Sequence, residues 1–304
     1  MELKDIKKVL ILGAGTMGQQ IGLICALHGY QVTVYDISDE ILEASRKRMG
    51  KLGAWFVQIN RITEQQLQET MDRLTMTADA AAAAKDADII NESVPEDPKL
   101  KGRVFAQFNE LCPKHTIFTT NTSLLVPSMF AEATGRPGQF AALHFHDLRV
   151  NNIVDVMPHP GTDPAVTQLV HDFAVSIGQV PIMLHRENNG YVFNTMLSSL
   201  FRSAMSLAAT DVASIEDVDR SWMGVMLMPM GPFGIMDQIG LKTVWTIVDY
   251  WAQKTNDPQD RIIADFVKQY VDRGELGAKT KKGFYTYPKP AYTQVGFLSG
   301  SIKK

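Results

Sequence analysis

Cysteine is scarce in this 304-residue chain, where only Cys25 and Cys112 occur. A small disulfide scaffold needs more cysteines, so that class is excluded, and a reducing cytoplasm is the expected location. The chain also lacks a basic surplus, since its formal net charge is −3. Nucleic-acid binders and proteins of anionic membranes carry such a surplus, so neither kind of partner is expected.

A long apolar run suited to a membrane is also missing. The stretch between Lys8 and Asp36 holds no charge, but glycines and the polar segment Thr16–Gln20 interrupt it. Because a spanning helix needs about 20 predominantly apolar residues, we expect no membrane span. The apolar segment Val9–Leu12 is too short for the core of a signal peptide.

What is present is a two-part pattern, in a chain long enough for about two domains. Short branched-apolar runs alternate with helical patterns at first, and only helical patterns follow Tyr191. The change falls near His185–Gly190, a polar segment that ends in glycine. We predict an α/β fold, in which a Rossmann-type, mostly parallel sheet domain over residues 1–187 precedes a smaller all-helical domain over 188–304.

The individual elements follow from apolar runs, caps and periodicity. The predicted strands are Lys8–Leu12, Gln31–Tyr35, Ile89–Val94, Ile117–Thr120, Phe140–His144, Ile153–Met157 and Val180–Leu184. The predicted helices include Gln19–His28, a solvent-facing Ala80–Ala84, Pro98–Leu111, Pro164–Ile177, Tyr191–Ala209, Ile215–Ser221, Pro232–Ile239, Leu241–Lys254 and Pro258–Asp272.

A GxGxxG motif, Gly13-Ala-Gly15-Thr16-Met17-Gly18, directly follows the first strand and opens a helix. In that context the glycines allow a tight turn, close approach to a diphosphate and close helix–strand packing. The helix N-terminus offers free N–H groups and the positive end of its dipole. The segment is therefore predicted to bind a dinucleotide through Gly13, Gly15, Thr16, Met17 and Gly18.

Asp36 ends the second strand, where its carboxylate can accept hydrogen bonds from the adenosine ribose. The same charge would repel a 2′-phosphate, so NAD is expected rather than NADP. A nicotinamide cofactor implies hydride transfer, and oxidation of an alcohol also needs a base for the hydroxyl proton.

Histidine suits the role of the base because its pKa lies near neutrality. Of the seven histidines, His144 closes a predicted strand at the carboxyl edge, where open α/β sheets bind ligands. His146 is two residues further on and can share that side. Position favours the pair, and the pattern alone does not choose between them.

The chain resembles the 3-hydroxyacyl-CoA dehydrogenases, NAD enzymes of fatty-acid and butyrate metabolism that pair a Rossmann domain with a helical dimerising domain. The resemblance spans most of the chain and rests on segments in matching order. These segments are VLILGAGTMGQQIG, ESVPEDPKLK, TTNTSLL, LHF, IVDVMP, NNGYVFN, MPMGPFGIMDQIGL and LGAKTKKGFY.

The resemblance implies a role for particular side chains. His144 matches the catalytic base, Asp155 the acid that orients it, Ser123 a serine near the substrate oxygen and Asn194 an asparagine that positions the substrate. The cofactor-contacting positions that it implies are Glu96, Lys101 and Lys279. The implied reaction is oxidation of a 3-hydroxyacyl-CoA, such as 3-hydroxybutyryl-CoA, to the 3-ketoacyl-CoA by a homodimer.

Several positions depart from the family pattern. His144–Leu148 reads HFHDL where the family usually has HFFNP, so His146 replaces an aromatic residue and Asp147 replaces an asparagine that contacts the cofactor. Asp155 stands where the family usually has the longer glutamate. These changes lie on the substrate side and bear most directly on which substrate is used.

The departures leave two other functions open. One is an NAD dehydrogenase for a hydroxy acid, sugar acid or carnitine-like substrate without CoA. The other is an NAD(H)-binding protein that has lost catalysis through misalignment of His144 and Asp155. No metal is expected, because the histidines form no metal-binding spacing with the cysteines. Basic residues of the segment 46–61 could meet a CoA tail or could simply be a solvated helix face.

Overall fold

The computed structural model describes residues 1–301. Within them, none of the helices is both long and apolar enough to cross a bilayer. The chain forms two compact units, Met1–Asn194 and Thr195–Lys304.

The first unit contains a sheet of eight strands in the order β3-β2-β1-β4-β5-β6-β7-β8. All neighbouring strands are parallel except β6 and β7, which are antiparallel. The strand order reverses direction at β1, and the crevice at such a point binds ligands in open α/β sheets. The strands are β1 Lys8–Leu12, β2 Gln31–Tyr35, β3 Leu74–Thr77, β4 Ile89–Glu92, β5 Ile117–Thr120, β6 Phe140–Phe145, β7 Ile153–Pro158 and β8 Val180–Met183.

Six helices belong wholly to the first unit, α7 crosses its end, and four further helices lie in the described part of the second. They are α1 Thr16–Leu27, α2 Asp39–Gln58, α3 Glu64–Asp72, α4 Ala80–Ala84, α5 Pro98–Leu111, α6 Pro164–Ser176, α7 Phe193–Ala209, α8 Ile215–Met226, α9 Pro232–Ile239, α10 Leu241–Thr255 and α11 Pro258–Asp272. This sequence of elements confirms the predicted class, a Rossmann-type sheet domain followed by a helical domain.

The sheet is covered on both faces, as the unbroken apolar run of β1 predicts. Side chains alternate across a strand, so Val9 and Ile11 enter one core with residues of α1, α2 and α6. Leu10 and Leu12 enter the opposite core, against Phe105 of α5. Both faces of the sheet are therefore covered by apolar side chains, and the polar groups of the candidate site lie at its carboxyl edge.

Several elements differ from the sequence prediction. Helix α8 continues past the predicted end at Ser221 to Met226, and α7 begins at Phe193 rather than Tyr191. Strand β3 was not predicted, because its four residues, LTMT, alternate over too short a stretch to mark a strand. The helix α4 was expected to face solvent, but Ala83 and Ala84 are buried. An all-alanine segment carries no pattern that could show which face is buried.

The second unit has an apolar core of its own, in which Phe233, Met236 and Leu241 are fully buried. Asp219 of α8 is buried beside them and accepts hydrogen bonds from the backbone N–H groups of Phe233 (2.8 Å) and Gly234 (3.0 Å). It therefore serves the first turn of α9 as an N-terminal acceptor.

Candidate active site

The glycine turn has the shape that a diphosphate cradle needs. Gly13 has φ +105°, and a Cβ there would lie 2.8 Å from the carbonyl oxygen of Ser93. A Cβ on Gly18 would lie 1.9 Å from the carbonyl oxygen of Gly13. At Gly15, by contrast, an added Cβ would meet no atom within 4 Å. The turn is thus closely packed against protein backbone at Gly13 and Gly18, which form its back, and open at Gly15, which forms its front.

The first turn of α1 faces that open space. Gly15 is its N-cap, and no side chain caps the helix. Gly15 and Thr16 are exposed, and Met17 is half-buried. Because uncapped N–H groups at a helix N-terminus attract anions, the residues present fit a dinucleotide diphosphate.

Asp36 lies directly beside the turn. Its Oδ2 accepts a hydrogen bond from the Ala14 N–H at 2.8 Å, and Oδ1 accepts one from Ile37 N–H at 2.8 Å. The residue is only half-buried, so its carboxylate keeps lone pairs accessible to a ribose hydroxyl. The predicted ribose acceptor and the predicted diphosphate cradle therefore adjoin.

A buried ion pair joins the end of β4 to the first turn of α5 at the same edge of the sheet. Lys101 Nζ lies 2.7 Å from Glu92 Oε1 and 3.2 Å from Glu96 Oε2, and Lys101 is 1% exposed. Burial is the largest influence on Glu92 and raises its pKa, which the charge of Lys101 opposes. Lys101 was predicted to contact the cofactor, but its ammonium is enclosed here by these two carboxylates. It holds Glu96 in place.

Glu96 in turn meets the loop after β5. Thr122 Oγ1 and the Ser123 N–H both donate to Glu96 Oε1. Asn194 Nδ2 donates to the Ser123 carbonyl oxygen at 3.3 Å. The structure thus brings together three residues predicted for the site, Glu96, Ser123 and Asn194. Glu92, which pairs with Lys101 at 2.7 Å, was missed, although a glutamate ending the apolar strand IINE was a signal.

His144 and Asp155 face each other across the antiparallel strands β6 and β7. They are register partners, and His144 Nδ1 lies 2.9 Å from Asp155 Oδ2. His144 is 4% exposed and Asp155 is 1% exposed. An ionised carboxylate only accepts hydrogen bonds, so Nδ1 of His144 carries the proton and Nε2 of the neutral ring is free to act as a base.

Burial and charge act in opposite directions on the pair. Burial is the largest influence on His144 and lowers its pKa, and the Asp155 hydrogen bond opposes it. Burial alone would raise the pKa of Asp155, but the hydrogen bonds from His144 and His146 bring it below its ordinary value. Near neutral pH the dyad is therefore a neutral imidazole beside an ionised carboxylate.

Aromatic rings complete the surroundings of His144. The ring of Tyr191 stacks on it at 4.7 Å between centroids, and the ring of His146 meets it edge-on at 4.6 Å. Phe193 lies edge-on to His146 at 5.6 Å. The stacking role of Tyr191 was missed, because the sequence predicted Tyr191 as the first residue of a helix, whereas α7 begins at Phe193.

His146 also reaches Asp155, with Nε2 at 3.1 Å from the same Oδ2. The ligand-type atoms of His144, His146 and Asp155 consequently lie within 4.8 Å of one another. The sequence argument against a metal considered only cysteine partners and did not foresee this trio. Hydrogen bonding accounts for the short distances within it.

The other predicted residues lie elsewhere. Lys279 is exposed and belongs to the second unit, in the short 3-10 segment Ala278–Thr280. Of the basic residues considered for a CoA tail, Arg46 donates to the Leu74 carbonyl oxygen and Lys47 pairs with Glu43. Lys51 is exposed.

Comparison with known proteins covers nearly the whole chain. A family model described as the 3-hydroxyacyl-CoA dehydrogenase NAD binding domain matches residues 8–188. A second, for the C-terminal domain of the same enzymes, matches residues 190–287.

Curated relatives agree with these matches. The mitochondrial hydroxyacyl-coenzyme A dehydrogenase of Rattus norvegicus is 31% identical over 292 residues, covering 93% of this chain and 91% of the relative. A probable 3-hydroxybutyryl-CoA dehydrogenase of Bacillus subtilis is 30% identical, covering 93% of this chain and 98% of the relative.

Two solved structures are similar over their full length. The (S)-3-hydroxybutyryl-CoA dehydrogenase of Ralstonia eutropha has a TM-score of 0.86 at 26% identity, with 94% of this chain and 100% of that chain covered. A diketoreductase, described as catalysing reactions of dicarbonyl compounds, has a TM-score of 0.84 at 39% identity, with 93% and 99% covered.

Proposed function

The chain belongs to the 3-hydroxyacyl-CoA dehydrogenase family, and from that premise we propose that it oxidises a 3-hydroxyacyl-CoA, such as 3-hydroxybutyryl-CoA, to the 3-ketoacyl-CoA. The family makes it an NAD-dependent oxidoreductase that acts on a CH–OH group. The observation that carries the proposal is the His144–Asp155 contact at 2.9 Å. This contact orients His144 as a base on β6. The proposed nucleotide-binding residues follow β1 and β2 of the same sheet.

The cofactor-binding residues are proposed from the open cradle described above. Gly13, Gly15 and the first turn of α1 would hold the diphosphate of NAD, and Asp36 would accept from its ribose. When bound, NAD⁺ supplies the hydride acceptor. Glu96, positioned by Lys101, is proposed to contact the cofactor, as is Lys279.

His144 does the acid–base work in this proposal. Its Nε2 accepts the hydroxyl proton of the substrate, and Asp155 holds the ring in the required tautomer and stabilises the imidazolium that forms. In the reverse direction protonated His144 donates to the ketone oxygen. Ser123 and Asn194 hydrogen-bond that oxygen and keep it within reach of the ring.

The test is a spectrophotometric assay of NADH formation with (S)- and (R)-3-hydroxybutyryl-CoA and of NADH oxidation with acetoacetyl-CoA. We expect turnover with one enantiomer and in the reverse direction. A protein that binds NADH but turns over none of these thioesters, nor longer-chain homologues, would refute the proposed substrate class.

A second candidate function is reduction of a small dicarbonyl compound that carries no CoA. The 39% identity to a diketoreductase favours it, as does the departure from the family pattern at His146. A direct comparison of acetoacetyl-CoA with free acetoacetate and with diketo esters separates the two. We expect kcat/KM to be at least about tenfold higher for the thioester, which corresponds to about 1.4 kcal/mol of transition-state binding. Such a difference supports a CoA thioester as the substrate.

The assembly is proposed to be a homodimer formed through the second unit. Several apolar side chains are exposed there, including Met196 at 60%, Val225 at 78% and Leu227 at 88%. Large exposed apolar surfaces typically mark interaction sites. Light scattering after size exclusion measures the mass directly, and a monomer at micromolar concentration would contradict the proposal.

The proposed location is the cytoplasm, and the proposed role lies in fatty-acid metabolism. Both cysteines are free thiols and buried, which suits a reducing compartment. Cell fractionation with an antibody to the chain tests the location.

A further inference from the structure

His146 shares its hydrogen-bond acceptor with His144. Both rings reach the same oxygen, Asp155 Oδ2, from His144 Nδ1 at 2.9 Å and from His146 Nε2 at 3.1 Å. His144 lies in β6 and His146 directly follows the strand, and their rings meet edge-on at 4.6 Å, so the two side chains lie on the same side. One carboxylate oxygen is therefore held from two directions.

We propose that His146 is a positioning residue for the base, which fixes the Asp155 carboxylate against His144 by donating a second hydrogen bond to it. The inference rests on the proposed function, in which His144 removes the substrate proton.

The need for a second donor follows from the length of the acid. Aspartate carries one methylene fewer than glutamate, so its carboxylate must be held closely to reach the ring opposite. With a single partner it could turn about its side-chain torsions and leave His144 free to change tautomer. The second N–H confines Oδ2 to the position where it meets both rings, and a displacement near 1 Å at such a site can cost about 100-fold in rate.

The orientation of His146 is itself fixed. Its ring is held between the edge of His144 at 4.6 Å and Phe193 at 5.6 Å, and its side chain is 16% exposed. Because the ionised Asp155 carboxylate can only accept, Nε2 of His146 is the donor in this contact. A phenylalanine would fill the space and keep the ring contacts but could not donate.

His146 also contributes charge to the site. The titratable groups that act on His144 are Asp155 on β7, His146 after β6 and Glu96 after β4, with the Tyr191 ring stacked on it. A positive charge on His146 lowers the pKa of His144, whereas Asp155 and Glu96 raise it. Removal of His146 is therefore expected to raise the pKa of His144.

The experiment is a double-mutant cycle with His146→Phe, Asp155→Glu and the double variant, read out as kcat and as the pH dependence of kcat/KM. His146→Phe is expected to lower kcat about 10- to 100-fold, to leave NADH affinity unchanged and to move the acid limb of oxidation to higher pH. Asp155→Glu in that background is expected to restore most of the kcat, because the longer acid needs no second donor. In the wild-type background it is expected to lower kcat, because two rings already enclose the shorter carboxylate.

Two further variants distinguish loss of the His146 hydrogen bond from a general disturbance of the structure. His146→Gln keeps an N–H donor and is expected to retain more activity than His146→Phe. His115→Phe removes a histidine that lies 3.1 Å from Asp88 at the opposite, amino edge of the sheet, and is expected to leave kcat and the pH profile unchanged. Wild-type kcat and pH profile in His146→Phe, or strictly additive effects in the cycle, would overturn the proposal.

A substrate-independent measurement separates this inference from the assigned reaction. Nitrogen-15 NMR of the histidine rings in the NADH complex is expected to show His144 as a single Nδ1–H tautomer in the wild type. His146→Phe is expected to show mixed tautomers and a raised pKa for His144. Unchanged ring shifts would refute the role of His146 even if no tested substrate is turned over, and changed shifts would support it in the same case.

Discussion

His144 and Asp155 are register partners in the antiparallel pair β6–β7, and the imidazole Nδ1 lies 2.9 Å from the carboxylate oxygen Oδ2. Opposite residues of neighbouring strands point to the same face of a sheet, so the backbone pairing alone brings base and acid together. The dyad thus rests on two strands rather than on a mobile loop, and it remains nearly closed to water.

Asp155→Asn tests the orienting acid. The amide is close in size but loses the charge that stabilises the imidazolium, and its NH₂ group can face Nδ1 and enforce the wrong tautomer. We expect kcat to fall by about three to four orders of magnitude, as for a triad acid, with unchanged NADH affinity. Steady-state kinetics measure kcat, and fluorescence titration measures the NADH dissociation constant. A fall in kcat of less than tenfold would argue against the assigned role.

The pH dependence follows from the burial of His144. Burial is the largest influence and lowers its pKa below the ordinary value near 6.5. Oxidation needs the neutral ring, so kcat/KM for oxidation is expected to stay constant from alkaline pH through neutrality and to decline only below about pH 6.5. Reduction needs the protonated ring and is expected to accelerate in the same range. An acid limb centred well above pH 7 would contradict this assignment.

Gly15→Ala separates cofactor binding from folding. An added Cβ meets no protein atom within 4 Å, and φ is −71°, so thermal stability is expected to be unchanged or slightly higher. The methyl group would occupy the front of the cradle, and NADH is expected to bind at least about tenfold more weakly, about 1.4 kcal/mol.

The matched control is Gly18→Ala, whose Cβ would lie 1.9 Å from the Gly13 carbonyl oxygen. We expect this variant to lose thermal stability as well as NADH binding. If Gly15→Ala lowered the melting temperature as much as Gly18→Ala, the distinction between the back and the front of the turn would be wrong.

Asp36→Ser tests the choice of NAD over NADP. Loss of the carboxylate removes the acceptor for the ribose hydroxyls and the repulsion of a 2′-phosphate. The ratio of NADPH to NADH affinity is expected to rise by about tenfold. This corresponds to a loss of about 1–2 kcal/mol in the binding free energy by which the site prefers NADH over NADPH. Asp72→Ser, which changes an exposed aspartate at the end of α3, is the control and should leave the ratio unchanged.

Asp219 gives the second unit a pH-dependent stability. Burial is the largest cause that raises its pKa, from 3.8 to about 6. The folded state then binds a proton at Asp219 more tightly than the unfolded chain does. The contribution of this proton to the free energy of unfolding is fully present below about pH 4 and is lost as pH rises through about 6.

Urea unfolding of wild type and Asp219→Asn between pH 4 and pH 7 measures this effect, because asparagine does not titrate. We expect wild type to lose up to about 2–3 kcal/mol relative to the variant over that range. A difference in unfolding free energy that is independent of pH would show that Asp219 titrates normally.

The parts of the fold that the sequence predicted are those with a strong local pattern. The branched-apolar run of β1, the glycine turn and the alternating run of β2 predicted the β1–α1–β2 unit, with Gly15 at the N-cap of α1 and Asp36 directly after β2. Strand β3, Leu74–Thr77, alternates over only four residues and lies at the edge of the sheet, where only Leu74 is buried, so its pattern is weak.

The site required contacts that no local pattern encodes. Position at a strand end pointed equally to His144 and His146, and family resemblance selected His144. That both rings share one oxygen of Asp155 depends on the register of β6 against β7, which is a long-range property. The stacking of Tyr191 on His144 depends likewise on the path of the chain after β8.

The most direct test of the account is His144→Gln, assayed side by side for NADH binding and for turnover of the best substrate found. We expect an NADH dissociation constant within about twofold of wild type and a kcat at least about 1,000-fold lower, with the loss present in both directions. A His144→Gln enzyme that turns over at the wild-type rate would contradict it.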